Sequence, residues 1–387
     1  MAPSLEEGIV AINASARNTL SESQGTDHVM DFSDDSETYT VALDKQKVQP
    51  LAIVGLSLRF PEDAVTEESF WQMVAAGRCV MSDYPKDRIN IDAFYHPDTS
   101  RTDTIPCRGG HFLKQPLGTF DAPFFSITPA KAPDMDPMQR GLLEATYRAL
   151  ENAGLPMESV AKSKTSVYTG CFTNDYQAFM PKNPQDLPRY SATGSSPAML
   201  ANRLSWFFDF TGNSVNVDSA CSSSLTALHL ACQDLWSGES KMSIAAGCNL
   251  MFSLEAIAVL SNMNFLSPDS RCYSFDHRAN GYSRGEGFGV VIVKTLGDAL
   301  KNGDTIRCVI RSTGTNQDGF TPGITQPNGE AQERLIQETY LKAGLSMKST
   351  GFFESHGTGT PLGDPLEATA IGTAFKKERS LCHPLIM

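Results

Sequence analysis

Short apolar runs recur along the chain from residue 51 onward. They are Leu51-Ala-Ile-Val-Gly55, Thr165-Ser-Val-Tyr168, Ser214-Val-Asn-Val217, Ser243-Ile-Ala-Ala246, Gly289-Val-Val-Ile-Val293 and Thr305-Ile-Arg-Cys-Val-Ile310. Runs this short, without strict apolar–polar alternation, predict strands buried on both faces. Helical patterns lie between them. Residues 138–152 place Leu142, Leu143, Tyr147 and Leu150 on one face. Residues 222–236 do the same with Leu225, Leu228, Cys232 and Leu235, and 330–343 form a further helix. Buried strands alternating with helices predict an α/β fold with covered sheets. No tandem repeat is visible, and no segment after residue 50 reads as an interdomain linker.

Residues 1–48 differ in texture. They hold nine acids and three bases, rich in Ser, Thr and Asp, without apolar periodicity. That composition predicts a disordered acidic leader, with the folded unit spanning 49–387. The whole chain has 387 residues and a net charge of −12, with 44 acids against 32 bases. Non-specific nucleic-acid binding needs the opposite sign. No stretch reaches the roughly 18 apolar residues of a membrane span, and no signal peptide is visible at the N-terminus. Nine cysteines without a C-x-x-C pair predict free thiols in the reducing cytoplasm, neither a disulfide framework nor a zinc site.

Two segments carry candidate chemistry. Asp218-Ser-Ala-Cys221-Ser-Ser-Ser224 lies between a predicted strand and a predicted helix. Unpaired N–H groups and the positive end of the helix dipole there favour thiolate, so Cys221 is a candidate nucleophile. The three serines are expected to cap the helix. The competing reading makes Cys221 a small buried core residue. Phe352-Phe-Glu-Ser-His356-Gly-Thr-Gly-Thr360 places His356 after a short apolar strand, on a glycine-threonine loop, ahead of a helix over 364–377. Such a histidine can polarise a carbonyl or move a proton, or simply occupy a surface turn. Cys221 and His356 are 135 residues apart, a spacing that papain-like proteases share. The cysteine signature of those proteases is absent, so the spacing does not decide.

Together these segments resemble the β-ketoacyl synthase domain of type I polyketide synthases, in particular the fungal highly reducing ones. The resemblance runs from residue 51 to the end of the chain. It rests on Met135-Asp-Pro-Met-Gln-Arg140, Asp218–Ser224, Leu266–Gly281, Arg284-Gly-Glu-Gly287, Asn316–Gln326 and His356-Gly-Thr-Gly-Thr-Pro-Leu-Gly-Asp-Pro365. The blocks Gly109-Gly-His-Phe-Leu113 and Asp121-Ala-Pro-Phe-Phe125 point to the fungal subclass. It implies a thiolase-like α-β-α-β-α sandwich of two related halves, usually a homodimer. It also implies a two-stage reaction with an acyl carrier protein as partner. The cysteine takes an acyl group from a carrier-protein thioester. Malonyl-carrier protein then loses CO₂, and its carbanion attacks the acyl-cysteine. Phosphopantetheine enters on the carrier protein, and no metal or tightly bound cofactor is implied. By position, Cys221 is the nucleophile and His356 the first of two active-site histidines. Thr358 and Thr360 match threonines that hold the phosphopantetheine arm. Glu367 matches a glutamate that pairs with a structural lysine.

Three family features do not occur in these 387 residues: a K-x-N-x-G-H motif with the second histidine and the lysine, a glycine-rich phenylalanine loop, and the terminal strands. His383, between a cysteine and a proline, does not match the second histidine. Ser219, Asn213 and Ser270 replace commoner Thr, Pro and Gly and are expected to be tolerated. The expectation is a C-terminally shortened ketosynthase with impaired condensation. Two other readings stand beside it: a non-catalytic ketosynthase-like partner subunit, and a different thiol enzyme, either thiolase-like on free acyl-CoA or a cysteine hydrolase.

Overall fold

In the computed structural model, residues 48–380 and 383–387 are described. Apart from Val48, the predicted leader lies outside them. The strands are β1 (Leu51–Arg59), β2 (Ser82–Asp83), β3 (Gly109–Gly110), β4 (Thr165–Gly170), β5 (Ser214–Val217), β6 (Met242–Asn249), β7 (Gly287–Thr295) and β8 (Cys308–Ile310). β2 and β3 pair as a small ladder, and the other six form one sheet in the order β5-β4-β6-β7-β1-β8. β4 runs parallel to β5 and β6, whereas β7 is antiparallel to β6 and β1, and β8 to β1.

Both faces of this sheet are covered, which explains the unbroken apolar runs. Ala52, Val54, Ile244, Ala246, Val290 and Ile292 point to one face, where Leu142, Leu143 and Leu204 pack from the helices Pro137–Asn152 and Met199–Phe208. Leu51, Ile53, Ala245 and Val293 point to the other, against Leu228, Cys232 and Leu235 of the helix Ser223–Trp236. Period-2 side-chain alternation thus sends neighbouring residues into two separate cores. Tyr147 is only partly buried on its helix, beside Phe124. Leu225 departs from its predicted face and is 41% exposed. It sits in the first turn of the helix; Thr226 and Ala227 are buried there instead.

Local signals set the helix boundaries. Asp136 accepts the Met138 N–H at 2.7 Å, and Pro137 occupies the first turn, where its missing donor costs nothing. Asn328 accepts from Glu330 and Ala331, and left-handed Gly344 ends the helix Gly329–Ala343. Predicted strand 305–310 is shorter than its pattern suggests, because β8 is an edge strand paired to β1 alone.

The C-terminal part contributes β8 and two helices, Gly329–Ala343 and Gly363–Phe375, packed around Ile336, Tyr340, Ile371 and Phe375. Among the described residues it forms no multistranded sheet of its own. Where the sequence predicts a strand before His356, the structure has a single parallel bridge from Phe352 to Ile386. Phe352 is 63% exposed, since no further strand pairs beside it.

Glycines at two strand ends fix the approach of the helix Ser223–Trp236. A Cβ on Gly170 would lie 2.3 Å from the Ser224 backbone nitrogen, and one on Gly247 would lie 2.7 Å from the Ser224 Cβ. Gly170→Ala should therefore push the helix start off the sheet and destabilise the fold by about 1–3 kcal/mol. Chemical denaturation checks this, with no loss expected for Gly372→Ala, where an added Cβ meets open space.

Candidate active site

Parallel strands β4 and β5 carry the chain to one end of the sheet, and β5 leads directly into the turn that holds Cys221. Asp218 Oδ1 accepts the Ala220 N–H at 3.1 Å. Ala220 is held at φ 54°, a left-handed conformation that costs energy for a residue with a Cβ. The serines stitch this turn and do not cap the helix. Ser222 is the N-cap residue but its hydroxyl makes no capping bond; it donates to the Ser219 carbonyl at 2.8 Å. Ser223 Oγ donates to the Ala220 carbonyl at 2.6 Å and accepts from the Ser219 N–H at 2.9 Å. The serine hydroxyls are drawn back because the strained turn offers them nearer partners than the helix. Cys221, between turn and helix, is exposed, which excludes the reading of a buried core cysteine.

The His356 side chain acts on the Cys221 thiol. Its polar interaction is the main cause drawing that thiol below its ordinary value, against the opposing effect of burial. The same interaction holds the imidazole above its ordinary value, and the charges of Glu367 and Asp364 add to the effect. Both directions favour a thiolate–imidazolium pair. Two buried thiols behave differently: burial pushes Cys107 up to about 11 and Cys232 up to about 12.

Carboxylates shape the histidine loop. Glu367 accepts the backbone N–H of His356 at 2.6 Å and that of Gly357 at 2.9 Å. Its partners are these two donors, and among the described residues no lysine pairs with it. Asp364 is the larger anchor, and the sequence reading missed it. It is 2% exposed, and it accepts from the backbone of Phe275 at 2.7 Å, Gly359 at 3.0 Å and Thr360 at 3.2 Å. Its place in the first turn of the helix Gly363–Phe375 adds the helix dipole to those bonds. An acid opening a helix straight after a glycine-threonine loop was the available signal. Thr358 and Thr360 bond each other at 3.0 Å, and Thr358 also donates to Asp364. Gly357 at φ 51° and Gly359 at φ 75° supply the left-handed turns, and a Cβ on Gly359 would meet the Tyr273 nitrogen at 2.7 Å. Ser274 donates to the Gly357 carbonyl, tying the 267–281 segment to the loop. His383 lies apart, exposed, in a small bridge with Ser380. Among the described residues no cluster of three or more His, Cys, Asp or Glu side chains forms a metal site.

The chain is similar to known proteins along most of its length. The family profile described as "Beta-ketoacyl synthase, N-terminal domain" matches residues 48–299, and "Beta-ketoacyl synthase, C-terminal domain" matches 307–387. The chain belongs to the β-ketoacyl synthase family. The reducing polyketide synthase pksF of Alternaria solani is 52% identical over 345 residues, 89% of this chain and 15% of that protein. The highly reducing polyketide synthase alnA of Emericella nidulans is 51% identical over 87% of this chain and 14% of its own length. The chain thus corresponds to a small part of these large proteins. A Streptomyces albus oxazolomycin ketosynthase domain superposes with a TM-score of 0.80 at 36% identity, covering 86% of this chain and 57% of that one. A Bacillus subtilis ketosynthase, from module 6 of the bacillaene synthase, gives 0.77 at 34%, covering 85% and 55%. The architecture is the thiolase-like one that the sequence resemblance implied.

Two measurements check this geometry. Alkylation of Cys221 by iodoacetamide, read by peptide mass mapping, should have its midpoint below the ordinary cysteine value of about 8.5. The thiolate appears as pH rises through the thiol pKa, so His356→Ala should move that midpoint upward by on the order of one pH unit. Asp364→Ala should cost about 3 kcal/mol in denaturation, because it strands several buried donors at once.

Proposed function

We propose that residues 49–387 act as a polyketide-synthase ketosynthase that extends an acyl chain by decarboxylative condensation. The observation that carries this reading is an exposed Cys221 at the end of a strained strand-to-helix turn, with the thiol drawn below its ordinary value by His356. The Cys221 thiolate attacks the carbonyl of an acyl thioester. The new C–S bond forms as the bond to the phosphopantetheine sulfur breaks, and the departing thiolate takes the proton held on His356. Malonyl-carrier protein then loses CO₂, and the resulting enolate carbon attacks the acyl-cysteine carbonyl. Cys221 leaves as thiolate, and the product remains on the carrier protein. The neutral His356 imidazole left by the earlier proton transfer keeps one ring N–H, which serves as donor to the developing enolate oxygen. Thr358 and Thr360 hold the phosphopantetheine arm in this reading, with Asp364 fixing the loop they sit on. An acyl carrier protein is the partner, no tightly bound cofactor takes part, and the protein works in the cytoplasm as a homodimer.

Relatives described as polyketide synthases support the reading, as does retention of the cysteine, which a non-catalytic partner subunit does not need. The 387 residues contain one histidine matched to the family's active-site pair. Capture of an acyl group needs chiefly the nucleophile, whereas condensation draws on both histidines. Purified polypeptide incubated with an acyl-pantetheine thioester should gain the mass of the acyl group, and Cys221→Ala should not. Malonyl-carrier protein added to the acylated polypeptide should give little or no β-ketoacyl product. An adduct persisting in Cys221→Ala would overturn the assignment of the nucleophile, and efficient turnover would overturn the expected impairment.

A further inference from the structure

Arg284 is a buried cation that the fold leaves without a counter-charge. It is 6% exposed, and its Nη2 atom is sealed from solvent with no hydrogen-bond partner. No carboxylate among the described residues pairs with it. The nearby acids are committed elsewhere. Glu286 is bound by Arg88 and accepts the N–H groups of Leu113 and Met251, both at 2.9 Å. Asp175 accepts from Phe252 at 3.0 Å and Ser253 at 3.1 Å. An unpaired buried guanidinium is costly, and such a cost persists where something outside the fold uses the charge.

The backbone around Arg284 is clamped. Its carbonyl accepts from His111 at 2.9 Å, Glu286 donates to the His111 carbonyl at 2.8 Å, and Asn249 donates to the Gly285 carbonyl at 2.5 Å. The guanidinium lies 5.9 Å from the centre of the half-exposed Phe172 ring. Phe172 follows Cys171, whose N–H donates to the Val217 carbonyl at 3.1 Å, at the strand end that leads into the Cys221 turn. Gly281 donates to the Gly359 carbonyl at 3.0 Å, so the segment that carries Arg284 lies against the histidine loop as well as near the strand end that leads to Cys221. The Arg284 charge reaches Cys221, Tyr84, Cys107 and Tyr282. Burial raises Tyr84, Cys107 and Tyr282, whereas Cys221 is drawn below its ordinary value, so Cys221 is the most readily ionised of the four. Acylation of Cys221 removes that titratable thiol from the surroundings of the cation.

We propose that Arg284, with Phe172 as its wall, is an anion subsite that receives the carboxylate of the extender thioester beside Cys221. The identity of that carboxylate rests on the function proposed above. Recognition of a carboxylate at this point does not, and it can be read without a carrier protein or turnover.

Iodoacetate and iodoacetamide alkylate the same sulfur by displacing iodide, and they differ in carrying a carboxylate or a neutral amide. The ratio of their rates at Cys221 reports a cation positioned for a carboxylate. In the intact 387-residue chain this ratio should exceed that of free cysteine. Arg284→Met should lower it about tenfold, the scale of one charged hydrogen-bonded contact. Arg284→Lys should keep most of it. Arg284→Met removes a cation that has no hydrogen-bonded partner and keeps an apolar stem beside Phe172, so the Met variant should retain its melting temperature; if it does not, the Lys variant and Phe172→Ala, which opens the wall, supply the comparison. An unchanged ratio in Arg284→Met would overturn the proposal. So would equal slowing of both reagents with an upward shift of the alkylation midpoint, which would make Arg284 a partner of the thiolate alone. Failure of acyl capture or condensation with the ratio intact would count against the function and leave the subsite standing.

Discussion

The close approach of one helix to two strand ends controls the rest of this molecule. The helix Ser223–Trp236 meets β4 and β6 where Gly170 and Gly247 have no side chains, and its first turn lies almost on the strand backbones. That contact leaves little room between β5 and the helix. The connecting turn closes by placing Ala220 in a left-handed conformation and is held by Asp218 and the serine hydroxyls. Cys221 is the residue that this closure pushes outward. Its exposure follows from backbone packing, and its reactivity follows from what the rest of the chain then places beside it.

Charge is distributed by the same economy of space. Asp364, Glu367, Glu286 and Asp175 all accept backbone N–H groups from loops that converge on one end of the sheet. Each turns a flexible segment into a fixed one, since a carboxylate bonded by several N–H groups is both neutralised and immobilised. The histidine loop is fixed in this way from the helix Gly363–Phe375, so that His356 meets Cys221 without a side-chain partner of its own to orient it. Arg284 stands out against this pattern, because the acids that could neutralise it are occupied.

The covered α/β sheet was legible in the sequence, since strands buried on both faces must be apolar at consecutive positions. The Cys221 turn and the histidine loop stood out as candidates too, because thiol, glycine and threonine patterns of that kind have few structural uses. Other features were not. The serines of the Cys221 turn read as helix caps, yet a strained turn competes for the same hydroxyls. Glu367 matched a glutamate whose lysine partner is not among these residues, and the pattern did not reveal the two backbone donors it holds. Leu225 read as core, yet it is exposed in the first turn of its helix. In each case the residue type was right for its surroundings, and only the position of its neighbours chose among its possible partners.

By itself, then, the sequence determined which segments are strands and helices and which residues carry reactive groups, because periodicity and side-chain chemistry are local properties. Tertiary structure decided the rest. It brought Cys221 and His356 together from 135 residues apart, set the direction in which each titrates, and left Arg284 buried without a partner. Those are properties of distance and solvent exclusion between remote segments, and no local pattern encodes them.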